Sequence, residues 1–371
     1  MNNIKQRIER LAEQAVSSKE FRLALLAHLR EAFPFEGACC TVVDPRTLLS
    51  AGAVTEDGVE AIHHRLFEFE YGHRDFNRFE DLAEADRPAA ALGLATNGDP
   101  ERSPRFREVL QPAGFGDEMR AALVSGGKCW GFLTLLRGKD QPLFAAEELA
   151  LLTSLVPAIG GALRRTSLDL ADESAEETGL ESGVLIVEAD GVLLSELTAT
   201  DAAVHWLTAI REAEGIGDEV LPRPIRAVCI RALTGETGTG KELAHGKAAR
   251  TCVRLSGGSY VTIRADRLLS KASRAQLAVI FEQAQPADRL PLIAEAYGLS
   301  EREKQLLVAV VRGLSTHEIS RELHISVYTV QDHLKSIFAK TGVSSRRELI
   351  WQLFSRYASP ISTTERPAGE S

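Results

Sequence analysis

The chain has 371 residues, 44% of them hydrophobic and 26% charged, with a formal net charge of −9. That is ordinary for a soluble globular protein with room for two or three domains. No apolar run approaches the roughly 18 residues of a membrane span, and the charged start MNNIKQRIERLAEQ lacks the apolar core of a signal peptide, so a cytoplasmic protein without membrane contact is expected. The five cysteines, Cys39, Cys40, Cys129, Cys229 and Cys252, show neither C-x-x-C spacing nor histidines at metal-ligand intervals. They read as buried or reduced thiols, and no metal site is expected.

Residues 1–165 read as an α+β unit. An amphipathic helix carrying Phe21, Leu25, Leu26 and Leu29 leads into an apolar strand, Ala38 to Val43, that ends at the turn Asp44-Pro45. The adjacent thiols Cys39 and Cys40 belong to that strand; oxidant sensing is the rival reading of the pair. Arg120 to Val124 and Cys129 to Leu136 are strand-like runs separated by Ser125-Gly126-Gly127-Lys128, a hairpin signal. A closing helix starts near Phe144 and runs through Leu149, Leu152, Leu155 and Ile159 to Leu163. The hairpin, Val124 to Arg137, carries Val-x-x-Gly-x-x-Trp-Gly-x-Leu-x-Leu-x-Arg and resembles that of a GAF domain. The resemblance implies a sensor of a small molecule and names no ligand.

Residues 166–182 turn acidic and small, with Asp169, Asp172, Glu173, Glu176, Glu177 and Glu181 among Ala, Ser and Thr. They read as a linker. Over 183–288, strand-like runs at Val184 to Glu188, Thr251 to Leu255, Tyr260 to Ala265 and Leu277 to Phe281 surround a helical Ala202 to Glu214. The order resembles a PAS-like module. Cys229, His205 and His245 lack partners that would imply haem or flavin, and no cofactor is expected.

Gly235-Glu236-Thr237-Gly238-Thr239-Gly240-Lys241-Glu242 fits G-x-x-x-x-G-K, whose glycines let backbone N–H groups surround phosphate while Lys241 neutralises charge. It resembles the GETGTGKE loop of AAA+ activators, which implies an ATP-binding regulator as the alternative function. The rest of such an ATPase is missing. About 57 residues separate Lys241 from Leu299, too few for a nucleotide-binding domain, and no strand ends in paired carboxylates that would manage magnesium. Gly235, Gly240 and Lys241 are therefore read as a decoy on a glycine-rich loop between a helix and a hairpin.

Residues 292–357 hold four short helical patterns, each with its own start. Ser300-Glu301-Arg302-Glu303 is a capping box, Leu306, Leu307, Val310 and Val311 form the stripe of the first helix, and Gly313 ends it. Ser315 to Glu318 repeats the box for a second helix with Ile319 and Leu323 inward, Ser326 caps a third that runs to Thr341-Gly342, and Ser345 to Glu348 opens a fourth. At 100° per residue, Val330, Leu334, Ile337 and Phe338 share one face of the third helix, whereas Tyr328, Gln331, Asp332 and Lys335 fall on the other. That polar face suits a major groove: Gln331 for adenine, Lys335 for guanine or phosphate, Ser326 and Thr329 for phosphate at the positive helix end. Asp332 repels phosphate unless it accepts from cytosine or pairs with Lys335. A helical bundle used for protein contacts alone is the bland rival.

The segments Leu299 to Glu303, Gly313 to Ile319, Ile325 to Leu334 and Lys340 to Leu349 resemble the DNA-binding domain of LuxR-type regulators (the NarL/FixJ and GerE group). One departure is Gln331, where many members carry lysine. The resemblance implies a helix-turn-helix at 316–335 and a DNA-contacting set of Thr316, Ser326, Tyr328, Thr329, Gln331, Asp332, Lys335 and Arg346. It implies a bacterial, non-enzymatic transcription regulator that binds double-stranded promoter DNA as a homodimer, with RNA polymerase and an unknown small-molecule effector as further partners. Leu349, Ile350, Leu353 and Phe354 of the fourth helix are the expected dimer seam or, failing that, part of the domain core. Charge is segregated accordingly: Leu299 to Tyr357 carries nine Lys/Arg against six Asp/Glu, net +3, and the remainder −12. The expected fold is thus multidomain α+β, two α/β sensor modules and an all-α four-helix reader, ending in a disordered tail at 358–371.

Overall fold

The computed structural model describes residues 2–56, 58–167, 181–191, 193–234, 248–255, 259–269 and 274–355. Two compact units result, one formed by the chain up to Ala284 and one from Gln285 onward. In chain order the first half of the larger unit contains α1 (Asn2–Glu13), α2 (Ser18–Ala32), β1 (Gly37–Val43), β2 (Ser50–Thr55), α3 (His63–Gly72) and α4 (Phe79–Glu84). It continues with β3 (Ala89–Ala91), α5 (Leu92–Ala95), β4 (Phe115–Ser125), β5 (Lys128–Gly138) and α6 (Ala146–Thr166). The second half adds β6 (Gly183–Asp190), β7 (Leu193–Ala199), α7 (Asp201–Glu214), α8 (Arg223–Thr234), β8 (Arg250–Arg254), β9 (Tyr260–Leu268) and β10 (Ala275–Gln283).

Each half builds a five-stranded antiparallel sheet, in the orders β2-β1-β5-β4-β3 and β7-β6-β10-β9-β8. Counted within each half, the two orders are the same. The sheets differ in how many faces they bury. Nearly every residue of β5 is buried, because α6 covers one face and α3 and α4 the other. By contrast β6 alternates strictly between buried and half-buried, since α7 and α8 cover one face of its sheet and Leu185, Val187 and Ala189 point there. The hairpin expected at 125–128 is present: Ser125 pairs with Lys128, and Gly126 and Gly127 take φ +61° and +74°, the left-handed pair that a tight two-residue turn requires.

The 21 residues of α6 have a mean hydropathy of 1.3 over their most apolar window, enough by length and composition to cross a membrane. In the fold Leu152, Leu155 and Ile159 of this helix are buried in the larger unit, where α6 packs on β4 and β5.

The core of the second sheet reaches into the first half, where Leu49 and Phe67 join Trp206, Ile225 and Phe281, while the first sheet keeps clusters of its own. Helix α8 is the wedge. All its residues from Arg223 to Ile230 are buried, as it packs on β9 from one side and on α3 and β2 from the other. The five cysteines are free and buried. The motif at 235–242 lies outside the described residues, but the apolar run Ala227 to Leu233 before it is helical, where a phosphate loop needs a strand.

Candidate nucleic-acid interface

The smaller unit consists of α9 (Pro286–Ala296), α10 (Glu301–Val311), α11 (Thr316–Glu322), α12 (Val327–Thr341) and α13 (Arg346–Ser355). The first of these is a helix that the sequence reading had left unassigned. Both capping boxes form as expected. Ser300 Oγ accepts from Glu303 N at 3.3 Å while Ser300 N donates to Glu303 Oε2 at 2.6 Å, and Ser315 with Glu318 repeats the exchange at 3.3 and 2.7 Å. At the third helix Ser326 Oγ accepts from Thr329 N at 3.0 Å and lies 2.8 Å from Thr329 Oγ1. The fourth start differs in detail: Ser345 Oγ caps Glu348 N, but the Glu348 carboxylate reaches back to Ser344.

Between α11 and α12 the chain turns at Leu323-His324-Ile325. His324 takes φ +53°, and Ser320 holds the turn through its carbonyl, which accepts from Ile325 N, and its hydroxyl, which donates to Ile325 O at 2.6 Å. This fixes α12 against α11 with Ile319, Val330, Leu334 and Ile337 buried together with Leu306, Leu307 and Val310 of α10. The opposite side of α12 is left to solvent. Tyr328 is 71% exposed, the Lys335 side chain 74% and that of Asp332 49%, and Gln331 is exposed as well. Lys335 Nζ sits 3.4 Å from Asp332 Oδ1, the pairing that relieves the carboxylate on this face.

Arg346 and Thr316, half-buried like Thr329, stand apart from the exposed face of α12. Arg346 is half-buried and its Nη2 donates to Val310 O at 3.2 Å, so its guanidinium ties α13 to α10. Thr316 is the half-buried first residue of α11. Of the four residues expected at a dimer seam, Leu349 and Leu353 are buried in the domain core, Ile350 is half-buried, and the Phe354 side chain lies outside the described residues. The core reading of that helix therefore holds for Leu349 and Leu353, because α13 has to cover α10 and α12.

The sequence reading missed the polar hub beneath the interface. Glu303, buried, accepts from Lys340 Nζ and Ser336 Oγ of α12, each at 2.6 Å, as well as from Ser300 N. Burial alone would raise its carboxyl, but the hydrogen bonds from Lys340, Ser336 and Ser300 outweigh it and bring it to about 2. A signal existed: Glu303 shares the inward face of α10 with Leu307 and Val310, and a carboxylate on an apolar stripe needs a partner.

Residues 298–352 match the family of bacterial regulatory proteins described as the luxR family (GerE). The monoamine regulon transcriptional regulator of Klebsiella aerogenes is 42% identical over 66 residues, which cover 18% of this chain and 27% of that protein. The HTH-type transcriptional regulator MalT of Yersinia pestis (strain Pestoides F) is 30% identical over 64 residues, 17% of this chain and 7% of that protein. This chain thus spans a minor part of both relatives. The solved structure of the phage VqmA-DPO complex aligns with 49% of this chain and 87% of that one at 17% identity and a TM-score of 0.16, too low to carry over its fold. The carboxy-terminal four helices are a luxR-family helix-turn-helix domain.

Proposed function

From a luxR-family domain at 298–352 we propose that the chain is a sequence-specific, double-stranded-DNA-binding transcription regulator of bacterial cytoplasm, without catalysis of its own. The observation that carries this is the two-sidedness of α12: Val330, Leu334 and Ile337 are packed while Tyr328, Gln331, Asp332 and Lys335 stand in solvent on one face. A helix presented this way enters the major groove, with Gln331 set for an adenine edge and Lys335 for guanine acceptors or phosphate. Ser326 and Thr329 lie at the helix start for phosphate. Arg346 belongs in this reading as a brace, not as a contact.

The upstream sheets act in this proposal as GAF-like and PAS-like sensors of a small-molecule signal, supported by the Val124 to Arg137 hairpin and by the repeated strand order. Two copies bind a two-fold site, because one helix-turn-helix covers a half-site. The test is selection of DNA sites by the purified full-length protein at fixed salt. Enrichment of a palindromic site, with loss of preference at one position in Gln331→Ala, is the expected result. Uniform binding of all sequences would sink the proposal.

A further inference from the structure

Within the unit that holds both sheets, α8 meets the 3-10 turn Glu60–Ile62 and α3 across a cavity of about 310 Å³. That volume lies at the lower end of the roughly 300–1,000 Å³ range of small-molecule sites, and seams between sub-structures are where such sites concentrate. The wall is mainly apolar: Leu221 and Ile230 are buried, Leu194 is half-buried and Leu193 stands at the rim, 60% exposed.

Three arginines are taken out of water around this seam, of which Arg226 alone lines the cavity. Arg22, Arg223 and Arg226 are buried here against two carboxylates, Glu60 and Glu214. Glu60 is shared between Arg223 and Arg226, while Glu214, 3% exposed, has its carboxyl pushed up to about 7 by burial. Arg22 spends its donors on the carbonyls of Ser18, Cys40 and Gly52. Arg226 lines the cavity, with Nη2 bonded to Glu60 Oε1 at 3.1 Å and Nε without an acceptor among the described residues. His64, on the same wall, is depressed below its ordinary range by burial and by Arg226. Arg226 is the one arginine of this wall, and its acceptor-less Nε beside apolar side chains is the donor that an anion with an apolar body would meet. The remaining acidic residue of the wall, Glu219, is exposed.

We propose that this cavity binds a small amphipathic carboxylate, its headgroup on Arg226 and its apolar chain along Leu193, Leu194, Leu221 and Ile230. A site bounded by both halves of the unit is placed to couple ligand to their packing. Its role as signal input rests on the regulator reading above, whereas its existence as a binding site does not.

The probe is hexanoate, with hexylamine and hexan-1-ol as charge-reversed and neutral counterparts, titrated calorimetrically into the full-length protein. Hexanoate is expected to bind saturably, one per chain and at least about tenfold more tightly than either counterpart. Because Arg226→Gln leaves Glu60 short of a partner and can unfold the seam, the second variant is Leu193→Glu at the solvent-exposed rim, expected to weaken hexanoate by about tenfold. Leu23→Glu, an equally exposed position outside the cavity, is expected to leave binding unchanged. The imidazole resonance of His64, assigned with His64→Gln, should shift on titration. Absence of saturable binding, equal binding of hexylamine, or hexanoate binding indifferent to Leu193→Glu would overturn the site. Affinity for a selected operator is then measured with and without hexanoate: a change supports the input role, and no change with hexanoate bound leaves the site standing and removes the sensor reading.

Discussion

The two units handle charge in opposite ways. In the larger one, ionic side chains are taken out of water and used as internal fasteners. Asp75, Arg105, Glu118, Arg120 and Glu70 form a buried chain with Arg105 Nη2 2.7 Å from Glu118 Oε2 and Arg120 Nη2 2.6 Å from Glu70 Oε2. Arg105 is completely buried, and although burial opposes its charge, Glu118 and Asp75 hold its guanidinium above the usual range. In the reader most ionic side chains stay at the surface; Glu303 is buried and the Lys304–Glu295 pair largely so. A body whose charges are paired internally has a fixed arrangement, and a reader whose charges face solvent keeps them for a partner. That contrast makes sense of a +3 segment, Leu299 to Tyr357, in a chain whose remainder carries −12, because the acidic remainder discourages non-specific contact while a few exposed side chains supply specific ones.

The largest effect should come from breaking a fastener. Arg105→Met strands Asp75 and Glu118 in the interior and is expected to cost about 3–5 kcal/mol, because unpaired buried charges lose far more than the pair had gained. Hydrogen exchange in β4 and β5 reads this locally. The matching change in the reader, Arg312→Ala, removes an exposed pair, Arg312 Nη1 to Glu322 Oε1 at 2.6 Å, and should cost less than about 1 kcal/mol. Equal losses at the two sites would erase the distinction between the units.

Glu303 sharpens it from the other side, as a place where the reader behaves like the body. Its carboxyl is ionised down to about 2 in the folded domain against about 4.5 when free. The stabilisation is therefore fully present above about pH 4.5 and is lost as pH falls through about 2, up to about 3 kcal/mol. Glu303→Gln should cost about 2 kcal/mol near neutrality by leaving Lys340 without its counter-ion. It should also flatten the acid limb of α12 protection, and an unchanged acid limb would show that the hub does not fasten α10 to α12.

How legible these features are in the sequence depends on whether a signal is local. The third-helix faces, the caps at Ser300, Ser315 and Ser326 and the Gly126-Gly127 turn are local, and the structure carries all of them. The β5 strand was equally plain, since two covered faces leave a continuous apolar run. By contrast β7 is almost wholly exposed, with Leu193 and Leu197 in solvent, so no alternation marks it. Ionic partners are the least legible of all: Arg223 meets Glu60 across 163 residues and Lys340 meets Glu303 across 37. The apolar stripe of α13 can serve a core or an interface in sequence, and packing assigns Leu349 and Leu353 to the core.

At the DNA face the expected effects are smaller and concern selectivity. Gln331→Ala should relax preference at one base pair by about 1–3 kcal/mol, the worth of a bidentate contact, with little change at other positions in a selected operator. If the loss were uniform across sequences, Gln331 would be a backbone contact.

Lys335 gives the last and smallest effect, and the sharpest test of whether the reader's exposed charges are kept for phosphate. Each neutralised phosphate contributes about 0.9 to the slope of log affinity against log salt, so Lys335→Ala should lower that slope by about 0.9 for each copy bound. Its partner Asp332, at 3.4 Å, competes for the same ammonium. Removing that competition in Asp332→Asn should strengthen binding at low salt, by an amount that shrinks as salt rises, because exposed pairs are screened. The two substitutions therefore move affinity in opposite directions on one face of α12. A salt slope unchanged in Lys335→Ala would mean that its charge serves Asp332 alone, and the reader would then be fastening its ions as the body does.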